Sequence, residues 1–472
     1  MRNRQMAIDR DNLVRMFTST ATAVVGASKN PGKLGYHVMK SLTEGCFKGA
    51  VFPINPGESE LFGAKAYPSL ADVPQGVDLA VVVLPAQAVP EIIQQCAAKG
   101  VKGIVLITAG FKEIEDEQGA QLQSEIARLA DEAGMPIIGP NTFGMVNLHQ
   151  DLNASFTPEF SRVRKGGISL ISQSGGMAHM LAFLALEQNV GFSKIIGVGN
   201  RCNVGFAELL GYLAEDEDTR VIAMYMEGVD DPHRFMEVAS RVRGKKPVLV
   251  YKVGRSEVSD KASQFHTGSL AGQYKVYQGA FRQTGMLSVH SLEELLDSAK
   301  ALDSCPLPEG NRVAVMSGQA GPGMAACDVC EEMGLTLATF SEETQARINA
   351  ALPPLALRSN PVDMGPAWYS PQAIAQVAEA ALGDPNVDGA VLCIAYASAN
   401  IGAVEGLSAV LKSWATRKPI ACCLSAPSGL WEEGIAALEE AGVPNYPTPE
   451  RAAMALGNLW RYRSLVKGST GH

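Results

Sequence analysis

The run Gly167-Ile168-Ser169-Leu170-Ile171-Ser172-Gln173-Ser174-Gly175-Gly176 reads as a buried strand that ends in a hydroxyl and glycine turn. Residues 177–187 follow with mostly apolar and small side chains, so the turn opens directly into a helix. A strand, a tight turn and a helix in that order make one step of a parallel crossover sheet. The same step recurs on both sides. Upstream, residues 21–25 lead through Gly26-Ala27-Ser28-Lys29-Asn30-Pro31-Gly32-Lys33 into a helical stretch. Strand-like runs at 50–54, 79–84, 103–107 and 136–138 then alternate with helical segments at 88–98 and 117–132. Downstream, runs at 192–198, 221–226, 248–252 and 286–289 continue the pattern. Past the turn-rich segment 303–310, a strand at 312–316 enters the turn Ser317-Gly318-Gln319-Ala320-Gly321-Pro322-Gly323, and the alternation runs on to a helix near 449–461. The expected fold is α/β, with parallel doubly wound sheets. A chain of 472 residues predicts about three domains. Their expected spans are 1–155, 156–302 and 303–472.

A formal charge of −9 argues against nucleic acid or an anionic membrane surface as the main partner. The first residues lack the apolar core of a secretory signal, and no apolar run reaches membrane-spanning length. The chain is therefore expected to be cytoplasmic. Nine scattered cysteines, an odd number, fit a reducing compartment. The single C-x-x-C, Cys327-Asp328-Val329-Cys330, lies in a helical pattern with no second pair, so it reads as packing and no metal site is expected. The acidic run Glu215-Asp216-Glu217-Asp218 reads as solvated surface at a helix end.

In doubly wound sheets ligands collect at the carboxyl ends of the strands. Gly26, Ser28, Asn55, Pro85, Thr108 and Asn141 stand at such ends. A loop with Gly26, Ser28 and Lys33 suits a diphosphate held by backbone N–H groups and one positive charge. It lacks the full G-x-G-x-x-G fingerprint, which gives a dinucleotide little support. The turn from Ser172 to Gly176 favours an anion and suits a plain helix cap equally well. A third such place is Ala262-Ser263-Gln264-Phe265-His266-Thr267-Gly268-Ser269-Leu270-Ala271-Gly272, where one imidazole sits among small and hydroxyl residues ahead of a segment of helical character. A neutral imidazole is nucleophilic near pH 7, and the N–P bond it forms stays reactive. Glu227, at the end of the run 221–226, is the candidate acid to fix its tautomer. On the residues alone, a surface-loop histidine and a solvated glutamate are the plainer reading.

His266-Thr267-Gly268-Ser269-Leu270-Ala271-Gly272 resembles the phosphohistidine loop of the NDP-forming acyl-CoA synthetases, the succinyl-CoA synthetase-like family, and in particular the α subunits of its ADP-forming acetyl-CoA synthetases. The resemblance extends, in order, through Val25-Gly26-Ala27-Ser28, Gly139-Pro140-Asn141, Ser172 to Gly176, Glu227-Gly228 and Asn360-Pro361-Val362-Asp363. It implies a Rossmann-like CoA-binding domain followed by two flavodoxin-like, succinyl-CoA synthetase-like domains. By the same resemblance, CoA would be held by Gly26, Ser28, Lys29, Pro31, Lys33, Asn55, Pro85, Thr108 and Asn141. Phosphate would be held by Ser172, Gln173, Ser174, Gly175, Gly199 and Gly268. His266 would carry the phosphoryl group, with Glu227 orienting it, in a reversible ligation of a small carboxylic acid to CoA. No Walker A sequence and no ATP-grasp-like segment is legible, so the resemblance implies a separate ATP-grasp β subunit in an α2β2-type assembly. That partner would supply ATP or ADP with Mg²⁺.

The sequence departs from its relatives at Thr142-Phe143, where Cys-Leu is usual, and at Asn203 and Gly205, where aspartates are common. These positions are expected near the acyl end of CoA, with Phe143 and Phe206 as walls of the acid pocket. The changes count against acetate specificity. The competing readings are a CoA-binding regulatory subunit without turnover and, last, a dinucleotide oxidoreductase.

Overall fold

A computed structural model of the chain describes residues 8–114, 116–256, 258–259 and 274–467. His266 and Gly268 lie outside the described residues. The chain separates into two compact units, residues 1–284 and 285–472.

The first unit holds β1 (Ala21–Val25), β2 (Ala50–Ile54), the hairpin strands β3 (Glu60–Leu61) and β4 (Ala64–Lys65), β5 (Leu79–Val82), β6 (Gly103–Leu106) and β7 (Ile137–Ile138). Apart from the hairpin these form a parallel sheet in the order β2-β1-β5-β6-β7. Strands β1, β5 and β6 are buried throughout. Continuous aliphatic runs are what a sheet covered on both faces demands.

A second sheet in this unit contains β8 (Gly144–Asn147), β9 (Leu152–Ser155), β10 (Lys165–Ser172), β11 (Phe192–Gly197), β12 (Val221–Met226) and β13 (Val248–Lys252), in the order β13-β12-β10-β11-β8-β9. Strands β10 to β13 pair in parallel, whereas β8 runs antiparallel to both β11 and β9. The sequence pattern had suggested neither strand of this pair, and the expected border at residue 155 leaves both with the first sheet. The reason is their polar content. Asn147, Asn153 and Ser155 are buried, and their hydrogen bonds are met away from the strand ladder: Asn147 Nδ2 donates to Phe17 O at 3.0 Å and Asn153 Nδ2 to Thr157 O at 3.0 Å.

The acidic run at 215–218 is not simply solvated. Lys194 on β11 is fully buried, and its Nζ meets Asp216 Oδ2 at 2.6 Å. Thr219 Oγ1 donates to the same carboxylate oxygen, and Lys246 Nζ donates to the Asp216 carbonyl. Glu217 stays exposed.

The second unit comprises β14 (Leu287–Val289), β15 (Arg312–Ser317), β16 (Thr336–Leu337), β17 (Val362–Asp363), β18 (Gly389–Ala395) and β19 (Ile420–Ser425). Its parallel sheet runs β16-β15-β18-β19, with β17 also pairing with β15. Asp297, buried on the helix Leu292–Ser304, is held by Arg451 of the final helix Pro449–Lys467 through two 2.7 Å bonds. Cys327 and Cys330 both lie on the helix Ala320–Glu332, and burial pushes the Cys330 thiol up to about 12. That suits a packing role. Among the described residues, no helix is long and apolar enough to cross a membrane.

The ion pair generates a stability prediction. Asp216→Ala leaves the Lys194 ammonium buried without its carboxylate and is expected to cost about 3–5 kcal/mol, whereas Glu217→Ala stays within about 0.5 kcal/mol of the parent. Urea denaturation of the two variants checks the contrast.

Candidate functional site

The carboxyl ends of the first sheet form a cleft. β1 runs into Gly26, whose φ of +94° favours glycine, and the Gly26 N–H donates to Ile54 O at 3.2 Å. The helix Leu34–Thr43 begins so close behind this turn that a Cβ on Gly35 would stand 2.1 Å from the Gly26 carbonyl oxygen. Asn55, beyond β2, donates from Nδ2 to Ala27 O at 2.8 Å and accepts the Gly57 N–H at 2.8 Å. Ser28 Oγ accepts the Asn30 N–H at 3.1 Å. Together they frame a cleft of about 550 Å³, lined by Gly26, Ser28, Lys33, Asn55 and Pro85 among others.

Four residues expected in this site do not line the cleft. Lys29 turns to Glu58 at 2.9 Å, and the Pro31 carbonyl is taken by His37 Nε2 at 2.9 Å. Thr108 and Asn141 stand on the next strand ends, joined by the Asn141 N–H bond to Thr108 O at 2.8 Å. Thr108 Oγ1 also donates to Leu84 O at 2.7 Å. Gly35 was missed. Its signal is a glycine inside the first turn of a helix, a position glycine holds when backbone must approach closely.

The second sheet places a different constellation at its strand ends. Ser172 ends β10 and donates from Oγ to Ser174 O at 2.7 Å. Ser174 caps the helix Gly175–Glu187 by accepting the Met177 N–H at 3.3 Å. This aims a helix amino terminus, with its partial positive charge, out of the sheet edge. Between the serines, Gln173 reaches the neighbouring strand end. Its Oε1 accepts the N–H groups of Glu227 at 2.9 Å and Gly228 at 3.2 Å. Gln173 is only 7% exposed, and its Nε2 has no hydrogen-bond partner among the described residues. Glu227 is half-buried, and burial together with its carboxylate pushes the Tyr225 hydroxyl up. Sequence-expected Ser172, Gln173, Ser174, Gly175 and Glu227 are thus assembled at one edge.

Gly199 belongs to a separate contact. Its φ is +51°, and a Cβ there would stand 2.1 Å from Pro140 O, so its smallness seats the loop after β11 on the Gly139–Asn141 loop. The positions expected near the acyl end of CoA have definite partners. Phe143 is 3% exposed and packs on Phe160 and His179 in the core. Asn203 accepts the Ile137 N–H at 2.8 Å and donates to Asp131 at 3.2 Å and to Met135 O at 3.1 Å, fastening the start of β7. Asn203, Gly205 and Phe206 line a cavity of about 200 Å³ that shares no residue with the first-sheet cleft.

Comparison with known proteins places these two edges in a family. A CoA binding domain matches residues 20–147, and a succinyl-CoA ligase like flavodoxin domain matches residues 165–302. The chain is 40% identical over 461 residues to the Pyrococcus furiosus acetate–CoA ligase [ADP-forming] II subunit alpha, covering 96% of this chain and 98% of that one. The chain belongs to the ADP-forming acyl-CoA ligase α-subunit family. Within this family, a solved structure of dinucleotide forming acetyl-coenzyme A synthetase 1 from Ca. Korarchaeum cryptofilum, in complex with phosphate and ADP, matches with a TM-score of 0.90 and 37% identity over 98% of this chain and 99% of that one. The 4-hydroxybutyrate–CoA ligase [ADP-forming] of Nitrosopumilus maritimus is 32% identical, over 97% of this chain and 65% of its own length. The first-sheet cleft falls inside the matched CoA binding domain. The Ser172–Gly175 turn and Glu227 fall inside the ligase domain.

The close approach at Gly35 yields a test. Gly35→Ala drives a methyl group into the Gly26 carbonyl, and overpacking of this kind costs about 1–3 kcal/mol. Titration calorimetry with CoA is expected to report binding weakened by about tenfold or more. Gly76→Ala, where nothing lies within 4 Å of the new Cβ, should leave it unchanged.

Proposed function

We propose that the chain is the α subunit of an ADP-forming acyl-CoA synthetase that works through phosphohistidine and acyl phosphate intermediates. The observation that carries the reading is Gln173: one buried carboxamide fixes Glu227 against the phosphate-type turn and keeps a donor, Nε2, that no described residue takes up.

The His266 imidazole takes the terminal phosphoryl group of ATP and ADP leaves. Glu227 fixes the imidazole tautomer and balances the charge that forms on it. Ser172, Gln173, Ser174 and Gly175, with Gly199 and Gly268, hold the phosphoryl oxygens by oriented dipoles. A carboxylate oxygen of the acid attacks phosphorus and frees the imidazole. The CoA sulfur, delivered from the cleft at Gly26, Ser28, Lys33, Asn55 and Pro85, then attacks the acyl carbon and releases phosphate. Lys29, Pro31, Thr108 and Asn141 are assigned to more distant parts of CoA. Every step is reversible.

ATP or ADP, with Mg²⁺, belongs on an ATP-grasp β subunit in an α2β2-type assembly; the subunit designation of the Pyrococcus relative supports a partner. The substrate class is a small carboxylic acid, in keeping with the acetate and 4-hydroxybutyrate named for two relatives. We assign CoA binding to residues 1–155, phosphoryl transfer to 156–302 and a second flavodoxin-like domain to 303–472, in a cytoplasmic protein.

Incubation of the chain and its partner with radiolabelled ATP is expected to give an acid-labile, base-stable label on the α chain. The label should vanish in His266→Ala and be discharged by CoA plus acid. A wild-type chain that binds CoA but takes no label from an active partner would instead be a CoA-binding regulatory subunit.

A further inference from the structure

Three loops meet between the two sheets of the first unit, and most of the bonds joining them involve residues assigned to neither site. Residues 108–113 follow β6, residues 199–201 follow β11, and residues 227–230 follow β12. The Glu113 carboxylate accepts the N–H groups of Gly110 and Phe111 and the side-chain amide of Asn200. Asn200, 7% exposed, also donates to Gln123 Oε1 at 3.1 Å, accepts from Asn141 Nδ2 at 3.4 Å, and donates its N–H to Pro140 O at 2.8 Å. It touches both CoA-side loops at once.

The next residue adds a second strut. Arg201 is 3% exposed at its side chain and grips Asp230 through Nε at 2.6 Å and Nη2 at 3.2 Å. Lys112 Nζ stands 3.6 Å from the same carboxylate. Asp230 lies on the loop that begins with Glu227. We propose that Glu113 and Asn200, braced by Arg201 and Asp230, are positioning residues that hold the CoA cleft in register with the phosphoryl station. The inference rests on the phosphohistidine reading above.

The chemistry calls for such a brace. Two displacements, at phosphorus and then at the acyl carbon, must share one set of atoms, and a misplacement of about 1 Å far from the reacting centre costs about 10²-fold in rate. Both acids are suited to the task as anions. Burial pushes the Glu113 carboxyl up, but the Gly110 N–H and the Asn200 amide more than cancel it. Burial likewise raises Asp230, and the Arg201 and Lys112 cations bring it below the usual carboxylate range.

The test uses the full chain with its partner and separates two half-reactions. Glu113→Gln turns an amide towards the Asn200 amide. Glu113→Gln with Asn200→Asp restores an amide-to-carboxylate bond with the roles exchanged. Labelling by radiolabelled ATP should proceed at the wild-type rate in Glu113→Gln. Discharge by CoA with acetate or 4-hydroxybutyrate, whichever serves the wild type, should slow by about a hundredfold. The exchanged pair should recover part of the loss, because its carboxylate meets the Glu113→Gln amide but no longer donates to Gln123 Oε1. Asp230→Asn, as an independent variant, should show the same split. Discharge at the wild-type rate in both Glu113→Gln and Asp230→Asn overturns the proposal, and so does an exchanged pair no better than Glu113→Gln alone. Failure of the underlying reading is distinct, because the wild-type chain itself would then take no label, and the proposal would fall with it.

Discussion

The Gln173 carboxamide accepts two backbone N–H groups from the end of a neighbouring strand, and it reaches them only because β10 and β12 are parallel neighbours with Ser172 opposite Tyr225. Parallel pairing brings both strands to the same edge at the same height, so the residue after each strand emerges beside its counterpart. Register therefore sets the distance from the Ser172–Gly175 turn to Glu227. A shift of one residue would turn Gln173 to the other face of the sheet and separate the acid from the helix terminus.

The same geometry governs the first sheet, with a steric condition added. There the strand end must leave room for a helix amino terminus against the Gly26 carbonyl, and only a residue without a side chain fits at Gly35. At Gly199 the same demand arises between loops that follow strands of different sheets. These contacts make each ligand-facing loop depend on a neighbour. At both glycines backbone rests on backbone, with no side chain between to relax.

Much of this was legible from the sequence because it is local. The aliphatic runs at β1, β6 and β12, each followed within two residues by a glycine or a hydroxyl, and at β5, followed by Pro85, announce buried strands and their ligand-facing ends. Ser172, Gln173 and Ser174 are contiguous, so their turn could be read directly. Glu113 and Asn200 are separated by 87 positions, and no periodicity marks two residues that meet only when two sheets are assembled. Strands β8 and β9 escaped for a related reason: their buried asparagines look like loop residues until distant carbonyls are supplied. Asp216 looked solvated within its acidic run because its partner, Lys194, lies on another element and is itself a residue type rarely buried. Phe143 and Asn203, expected near the acid by resemblance, meet Phe160, His179 and the start of β7, contacts between distant positions that no local pattern marks. The expectations for His266 and Gly268 fall outside the described residues.

The second unit repeats the strand-to-helix step with one difference. Ser317 Oγ bonds to the Gln319 carbonyl as Ser172 Oγ bonds to that of Ser174, so both turns share the same local fold. Gln319, however, uses both ends of its carboxamide on Ala395, accepting its N–H at 3.5 Å and donating to its carbonyl at 3.4 Å. Among the described residues, Gln173 has a donor left over. An anion arriving at the second turn would have to break an existing bond before gaining one. The two turns are thus built alike, but among the described residues one is a lock with its key already in place and the other a lock left open.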